Sequence, residues 1–435
     1  PGGVLPPRQL AGFRVGAPSS EDADVTFSVR CKDSLACPEG LALGACPEHR
    51  DETSIACDVC EIGFYEDGDL NCVSCTENFS GLPLVLTIVV GILACICLFY
   101  FVTRNITVQS SNIMTVALSF TIMMNTLQVL GAFREIVVDW PEPLKGLYTV
   151  LKVFTLGFDL LKPGCIFNTN NSVISYAGTL CTYPIFACFV MLVFIAARFL
   201  PGKCSRSANM TQFANSQGLI LLMFYISLSV IALQSLHCES NPDGSSSVVA
   251  YRSVLCWETS KHSAMLVFSI LGILFYAVTF LGIVAWASLR YPREVVRPGG
   301  INFVRRYQFL FQRFRNECYY YGFIYCLRNL LVAILPVIFV NVVVAQFCLL
   351  VLLIAFGLAV QSRLQPWRTM LANFLDSSCS LALIVALTGG AMLVDIKKRE
   401  SHDVIQIFFV ILLAALATLI VGVFLLSIYR IFVPQ

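Results

Sequence analysis

Nine runs of roughly 18 to 27 mostly apolar residues, parted by short polar gaps, fill the chain from Leu82 to Phe432. About 20 apolar residues suffice to cross the hydrocarbon core of a bilayer as a helix. The composition agrees, since 57% hydrophobic and 13% charged residues leave too few charges for a soluble surface. The pattern therefore predicts an all-α polytopic membrane protein. Its spans are Leu82–Thr103, Ile113–Phe133, Tyr183–Leu200, Gln217–Leu236, Ala264–Leu289, Tyr320–Val340, Val343–Val360, Leu371–Val394 and Ile405–Tyr429. Only Asn341 and Val342 divide the sixth from the seventh. Pro336 supports a break there, because proline interrupts the helical hydrogen-bond ladder.

Arginines collect in alternate connections, above all the seven between Arg290 and Arg315. The positive-inside rule then places the N-terminus outside and the C-terminus inside after nine crossings. The cluster Lys397–Arg399 falls on the outer side and is the one objection. An outside N-terminus needs a signal, and the chain begins at Pro1, so residues are expected to be missing upstream.

Residues 1–81 differ in kind, with Cys31, Cys37, Cys46, Cys57, Cys60, Cys72 and Cys75 set among Pro, Gly, Asp and Glu. Repeated CxxC spacing suits either a four-thiolate zinc site or a disulfide framework. Compartment favours disulfides, as the head lies opposite the arginine-rich connections and beside the sequon Asn78-Phe79-Ser80. Seven is odd, so one cysteine is expected to be free or to pair beyond the head. Two later outer segments carry cysteine pairs, predicted as Cys165–Cys181 and Cys238–Cys256. The first brackets a second sequon at Asn170. The second brackets the turn-rich Asn241-Pro242-Asp243-Gly244. No metal or cofactor is expected.

The run Cys57-Asp58-Val59-Cys60-Glu61-Ile62-Gly63-Phe64-Tyr65, followed by Cys72-Val73-Ser74-Cys75, resembles EGF-like and ephrin-receptor-like cysteine modules. Downstream, Glu317, Arg328, Gln346, Gln365-Pro366-Trp367 and Asn373 are similar to positions in TRP-like multi-pass membrane proteins of algae, protists and fungi. The resemblance covers most of residues 46–395. It implies an extracellular segment over 1–45 that ends a larger ectodomain, a cysteine-rich module over 46–81 and a membrane domain over 82–435. It also implies a cation-conducting or mechanically gated channel or sensor at a plasma, flagellar or other surface membrane. The competing expectation is a surface receptor or anchor for an extracellular protein or glycan, without conduction. A homo-oligomer is compatible with both.

Two connections stand out. Residues 140–181 carry apolar side chains at helical spacing with interspersed charge, which suits an amphipathic segment on the outer face. Residues 290–317 interleave Arg305, Arg306, Arg313 and Arg315 with aromatics, as expected of a lipid-facing basic loop that could engage anionic phospholipid. Within the spans, Arg328 and Asp376 are the candidate ion pair, with Ser380, Gln346 and Asn341 as further pore or packing candidates. Ionisable groups at bilayer depth default to functional hypotheses. No lysine lies inside a predicted span, and no HExxH, GxSxG or P-loop motif occurs. An enzyme, a retinal Schiff base and a nucleic-acid partner are not expected.

Overall fold

The computed structural model describes residues 8–16, 27–66, 71–75, 89, 93, 111–138, 151, 165, 169–199, 210–394 and 399–432. In chain order its elements begin with β1 (Phe13–Gly16), β2 (Phe27–Arg30), β3 (Phe64–Glu66), β4 (Cys72–Ser74) and α1 (Ser111–Ala132). There follow α2 (Ser172–Leu180), α3 (Thr182–Phe199), α4 (Met210–Met223) and α5 (Tyr225–Leu233). A small sheet comes next: β5 (Cys238–Ser240), β6 (Ser246–Val248) and β7 (Tyr251–Leu255). Then come α6 (Ser260–Gly272), α7 (Phe280–Val295), α8 (Gly300–Arg306) and α9 (Gln308–Phe311). The chain closes with α10 (Tyr321–Ile338), α11 (Val343–Leu364), α12 (Met370–Val394) and α13 (Arg399–Phe432).

Six helices of the described residues are long and apolar enough to cross a membrane, or seven if the bent pair Met210–Met223 and Tyr225–Leu236 forms one span. This is a multi-pass membrane protein. A helix also covers the ninth apolar run, whereas the first run falls outside the described residues apart from the helical Val89 and Leu93. The doubtful division at Asn341 is real: α10 stops at Ile338 and α11 starts at Val343. The expected single helix over Gln217–Leu236 is instead broken at Phe224 with a 64° bend. The span beginning at Ser260 runs 36 residues to Val295, and Ile273–Thr279 within it is a π-helix. The Tyr225 hydroxyl donates to Ala277 O of that π segment at 2.9 Å, and Thr279 Oγ1 donates to Leu274 O at 2.6 Å. Extra donors of this kind occupy carbonyls that a widened turn leaves poorly paired.

The chain divides into two compact units, and the division does not follow the sequence in two blocks. One unit gathers Pro1–Thr87, Gly157–Thr182 and Ile231–Leu271. Among the described cysteine pairs, Cys75–Cys165 ties the first of these segments to the second. Five disulfides join Cys31–Cys37, Cys46–Cys57, Cys60–Cys72, Cys75–Cys165 and Cys238–Cys256. The expected Cys165–Cys181 pair is not made. Cys165 takes the odd cysteine of the head, Cys75, and Cys181 is an exposed free thiol. A charged maleimide should therefore modify Cys181 in the unreduced protein, and Cys181→Ser should remove that adduct. An adduct on Cys75 or Cys165 would contradict the pairing.

Charge reinforces the covalent framework. Glu239 is buried between Arg30 and Arg252, each 2.5 Å away, so strand β2 and the β5–β6–β7 sheet share one carboxylate. Ser28 N–H donates to Asp243 Oδ2 and Arg30 N–H to Asn241 Oδ1. The turn Asn241-Pro242-Asp243-Gly244 thus serves as a receptor for β2 besides reversing the hairpin. Ser253 N–H reaches Asp58 Oδ2 at 3.0 Å, and Asn170 Nδ2 donates to Asp51 Oδ2 at 3.0 Å. The Asn170 side chain of the sequon is therefore engaged in a hydrogen bond. Asn78 lies outside the described residues, as does most of the predicted amphipathic segment 140–181.

Glu66 adds a pH-dependent term. Burial alone would raise its carboxyl, but Lys32 at 2.5 Å and Arg50 at 3.4 Å outweigh that and hold it below its ordinary value. A carboxylate depressed in the fold stabilises it above the unfolded value, and that contribution disappears as pH falls through the folded value. Acid should thus weaken this unit below about pH 4.3. Glu66→Gln should flatten the dependence in thermal scans of the full chain.

The second unit comprises Ile88–Leu156, Tyr183–Val230 and Gly272–Gln435. Its largest core cluster unites Leu118 and Ile122 of α1 with Tyr225, Phe280, Leu310, Phe314, Tyr321, Trp367 and Leu375. A second joins Val129 and Phe133 to Ile226, Val332, Leu350, Ile354 and Leu387. Large apolar side chains also point outward, among them Leu192, Phe275, Leu352 and Phe356. Such residues face lipid at no penalty in a membrane.

Candidate functional site

The polar groups of the helical unit converge around the turn between α11 and α12, and the local sequence dictates how. Gln365 takes a left-handed conformation (φ 42°) that ends α11, its N–H still bonded to Gln361 O. Pro366 cannot continue a helix. Asn373 then closes the turn: its Oδ1 accepts Trp367 N–H at 3.1 Å, while its Nδ2 donates to Trp367 O and Thr369 O. Gln361 Nε2 donates to Asn373 O and Gln361 Oε1 accepts Ser377 Oγ–H at 2.9 Å. Each residue of the Gln365-Pro366-Trp367 and Asn373 set thus has a conformational duty.

That turn is clasped by the segment before α10. Phe314 and Trp367 form an antiparallel bridge, with Arg315 N–H on Pro366 O at 2.8 Å and Arg368 N–H on Arg313 O at 3.3 Å. Arg368 Nε adds a bond to Phe314 O. Trp367, 1% exposed, lies with its ring 4.9 Å from Phe314 and 6.1 Å from Tyr325. Its indole N–H donates to Asp376 Oδ2 at 2.8 Å, which satisfies a carboxylate that is 4% exposed.

Arg328 does not complete the expected ion pair. Among the described residues no acidic oxygen lies within 4.0 Å of it; Asp376 is within its electrostatic reach but takes its direct hydrogen bond from Trp367. The Arg328 guanidinium sits 5.3 Å from the Tyr325 ring centroid and makes long bonds to Asn329 Oδ1, at 3.3 and 3.4 Å. It also rests on α11, because a Cβ placed at Gly357 would meet Arg328 Cδ at 3.0 Å. Next to it, Asn329 Nδ2 donates to Asn125 Oδ1 of α1 at 2.8 Å in a buried position. Interhelical amide bonds of this kind contribute about 0.6 kcal/mol, up to about 2.

The remaining candidates have separate fates. Gln346 Nε2 donates to Phe339 O at 2.8 Å and Pro336 O at 3.3 Å, so it caps the end of α10 across the tight turn. Asn341 is exposed in that turn, and Ser380 is buried on α12. Arg305 and Arg306 are exposed at the end of α8, and Arg315 pairs with Glu317 at 3.2 Å. Arg313 departs from the expected lipid-facing loop, since it is 7% exposed and belongs to the clasp. Sequence reasoning missed Asn125 and Asn329 as partners. Two amides on separate spans give no signal of pairing until the helices are placed. In the cysteine-rich unit, Cys238, Cys256 and His262 have metal-like spacing, but both sulfurs are in a disulfide. His262 Nδ1 accepts Trp257 N–H at 3.0 Å and its Nε2 lies 3.1 Å from Ser235 O.

Comparison with known protein families, with curated proteins and with solved structures found no match.

Proposed function

We propose that the chain is a TRP-like multi-pass channel or sensor, cation-conducting or mechanically gated, at a plasma or other surface membrane. It crosses nine times with its N-terminus outside, and its cysteine-rich module is EGF-like and glycosylated. The observation that carries the reading is the junction of α1, α10, α11 and α12 through Asn125, Asn329, Arg328 and the Trp367–Asp376 pair. Charged and amide side chains gathered between spans are costly to keep in a bilayer and occur where helices switch state or pass ions. Recording from proteoliposomes tests it. A tension- or voltage-evoked cation current that Asp376→Asn alters supports conduction, and silence under tension, voltage and altered lipid refutes it.

A second reading, a receptor or anchor for an extracellular protein or glycan, draws on a different observation. The cysteine-rich unit recruits three distant segments of chain, ties two of them through Cys75–Cys165 and carries four further disulfides within single segments, more structure than a loop connection requires. Selective capture of one glycan class or surface protein by the full chain in nanodiscs, in a protein that passes no current, favours it.

A further inference from the structure

The 64° break at Phe224 interrupts the backbone ladder in the middle of a run apolar enough to cross a membrane. Phe224 N–H still reaches Ile220 O at 3.0 Å, and Leu228 N–H reaches Phe224 O at 2.9 Å. Between them, an unbroken helix would join the N–H groups of Tyr225, Ile226 and Ser227 to the carbonyls of Leu221, Leu222 and Met223. None of those three bonds forms, and no side chain among the described residues takes their place. Leu222, Tyr225, Ile226 and Ser227 are all buried, and unmet backbone groups at membrane depth are costly.

The Ser227 hydroxyl marks the same gap. It belongs to a residue 3% exposed and has no hydrogen-bond partner. A helical serine can turn its hydroxyl onto a carbonyl one turn back, as Ser216 of α4 does onto Gln212 O at 2.9 Å. Ser227 stands in the first turn of α5, where the Cα–Cβ bond tilts toward the helix N-terminus, which here is the break. The neighbouring span is served differently. Its π segment has Ala277 O on the Tyr225 hydroxyl at 2.9 Å and Leu274 O on Thr279 Oγ1 at 2.6 Å. Tyr225 therefore holds the break against the π segment, and its hydroxyl is committed there.

We propose that the break is a binding site for water, a small cluster inserted into the ladder between α4 and α5. It accepts from the N–H groups of Tyr225, Ile226 and Ser227, donates to the carbonyls of Leu221, Leu222 and Met223, and engages the Ser227 hydroxyl. Insertion of water into the ladder is one of the few causes of a sharp helix bend. Charge decides against an ion. Residues 210–236 and 273–279 hold no Asp, Glu, Lys, Arg or His. The C-terminal end of α4 carries about −0.5 of a charge and the N-terminal end of α5 about +0.5. These poles meet at the break and offset one another, so a neutral ligand that both donates and accepts fits better than a cation or an anion. The site does not depend on whether the protein conducts.

Hydrogen–deuterium exchange of the full chain in nanodiscs, resolved to single residues by electron-transfer fragmentation, tests this. The N–H groups of Tyr225, Ile226 and Ser227 should exchange about 100-fold or more faster than those of residues 350–354 in α11. Those of Phe224 and Leu228, which keep their ladder bonds, should exchange as slowly as α11. Equal protection of all five overturns the proposal, because the break is then dry. Equally fast exchange of all five also overturns it, because the whole stretch then opens by local unfolding. Replacing sodium chloride by N-methylglucamine chloride separates water from a metal cation. An unchanged pattern supports water, whereas faster exchange once sodium is removed assigns the carbonyls to a cation and overturns the proposal.

Discussion

Replacing Trp367 by alanine is expected to destabilise the helical unit by about 3–5 kcal/mol through lost packing alone. Its ring touches Phe314 and Tyr325, and its position seats the clasp between the segment before α10 and the α11–α12 turn. The same substitution strips Asp376 of its indole donor, and an orphaned buried acceptor adds about 1–3 kcal/mol. Trp367→Phe separates the two effects, since it keeps most of the aromatic surface and loses only the donor. Asp376→Leu in the Trp367→Phe background should then recover part of the loss, because removing both partners leaves no unpaired group. Denaturant unfolding of the purified variants reads all three. If Trp367→Phe equals wild type, the hydrogen bond to Asp376 contributes nothing and the junction rests on packing.

Cys75→Ser should be the most damaging change in the cysteine-rich unit. The Cys75–Cys165 bond closes 90 residues, against 6 for Cys31–Cys37. Chain entropy scales with the logarithm of loop length, giving about 4–5 kcal/mol for the longer closure and about 2 for the shorter. The larger figure is an upper bound, because membrane-inserted helices inside the closed loop already restrict the unfolded chain. A distinct chemical outcome accompanies it. With Cys75 gone, Cys165 becomes available to Cys181, which lies 16 residues further on and is otherwise free. Peptide mapping under non-reducing conditions should detect that new bridge together with a lowered melting temperature. An unchanged melting temperature would show that the salt bridges of Glu239 hold the unit without the bond.

Six of the spans, or seven with the bent pair, were legible because a bilayer imposes length and apolarity on every crossing, a constraint written directly in residues such as Val343–Val360. Even the break at Asn341 could be read, since a 40-residue helix does not fit the membrane. The cysteine pairing was not legible, because spacing ranks neighbours in sequence and Cys75 meets a partner 90 residues away. Arg328 and Asp376 were found by their cost in lipid. Their partners were not, because Trp367 lies just beyond the span and competes successfully for the carboxylate. Arg313 was grouped with a surface belt on composition alone, which cannot distinguish an arginine that snorkels from one that is enclosed.

The π segment Ile273–Thr279 has its own consequence. A wide turn accommodates one residue more than an α-helical turn, and each residue advances a helix by about 100°. Everything from Phe280 to Val295 is therefore rotated by that amount relative to an uninterrupted rod, and this rotation brings Phe280, Val284 and Ala287 into the core. Were the wide turn to tighten or migrate along the rod, the same stretch would swivel as a crank, carrying Trp286 and Arg290 to a new azimuth without moving the rod's ends.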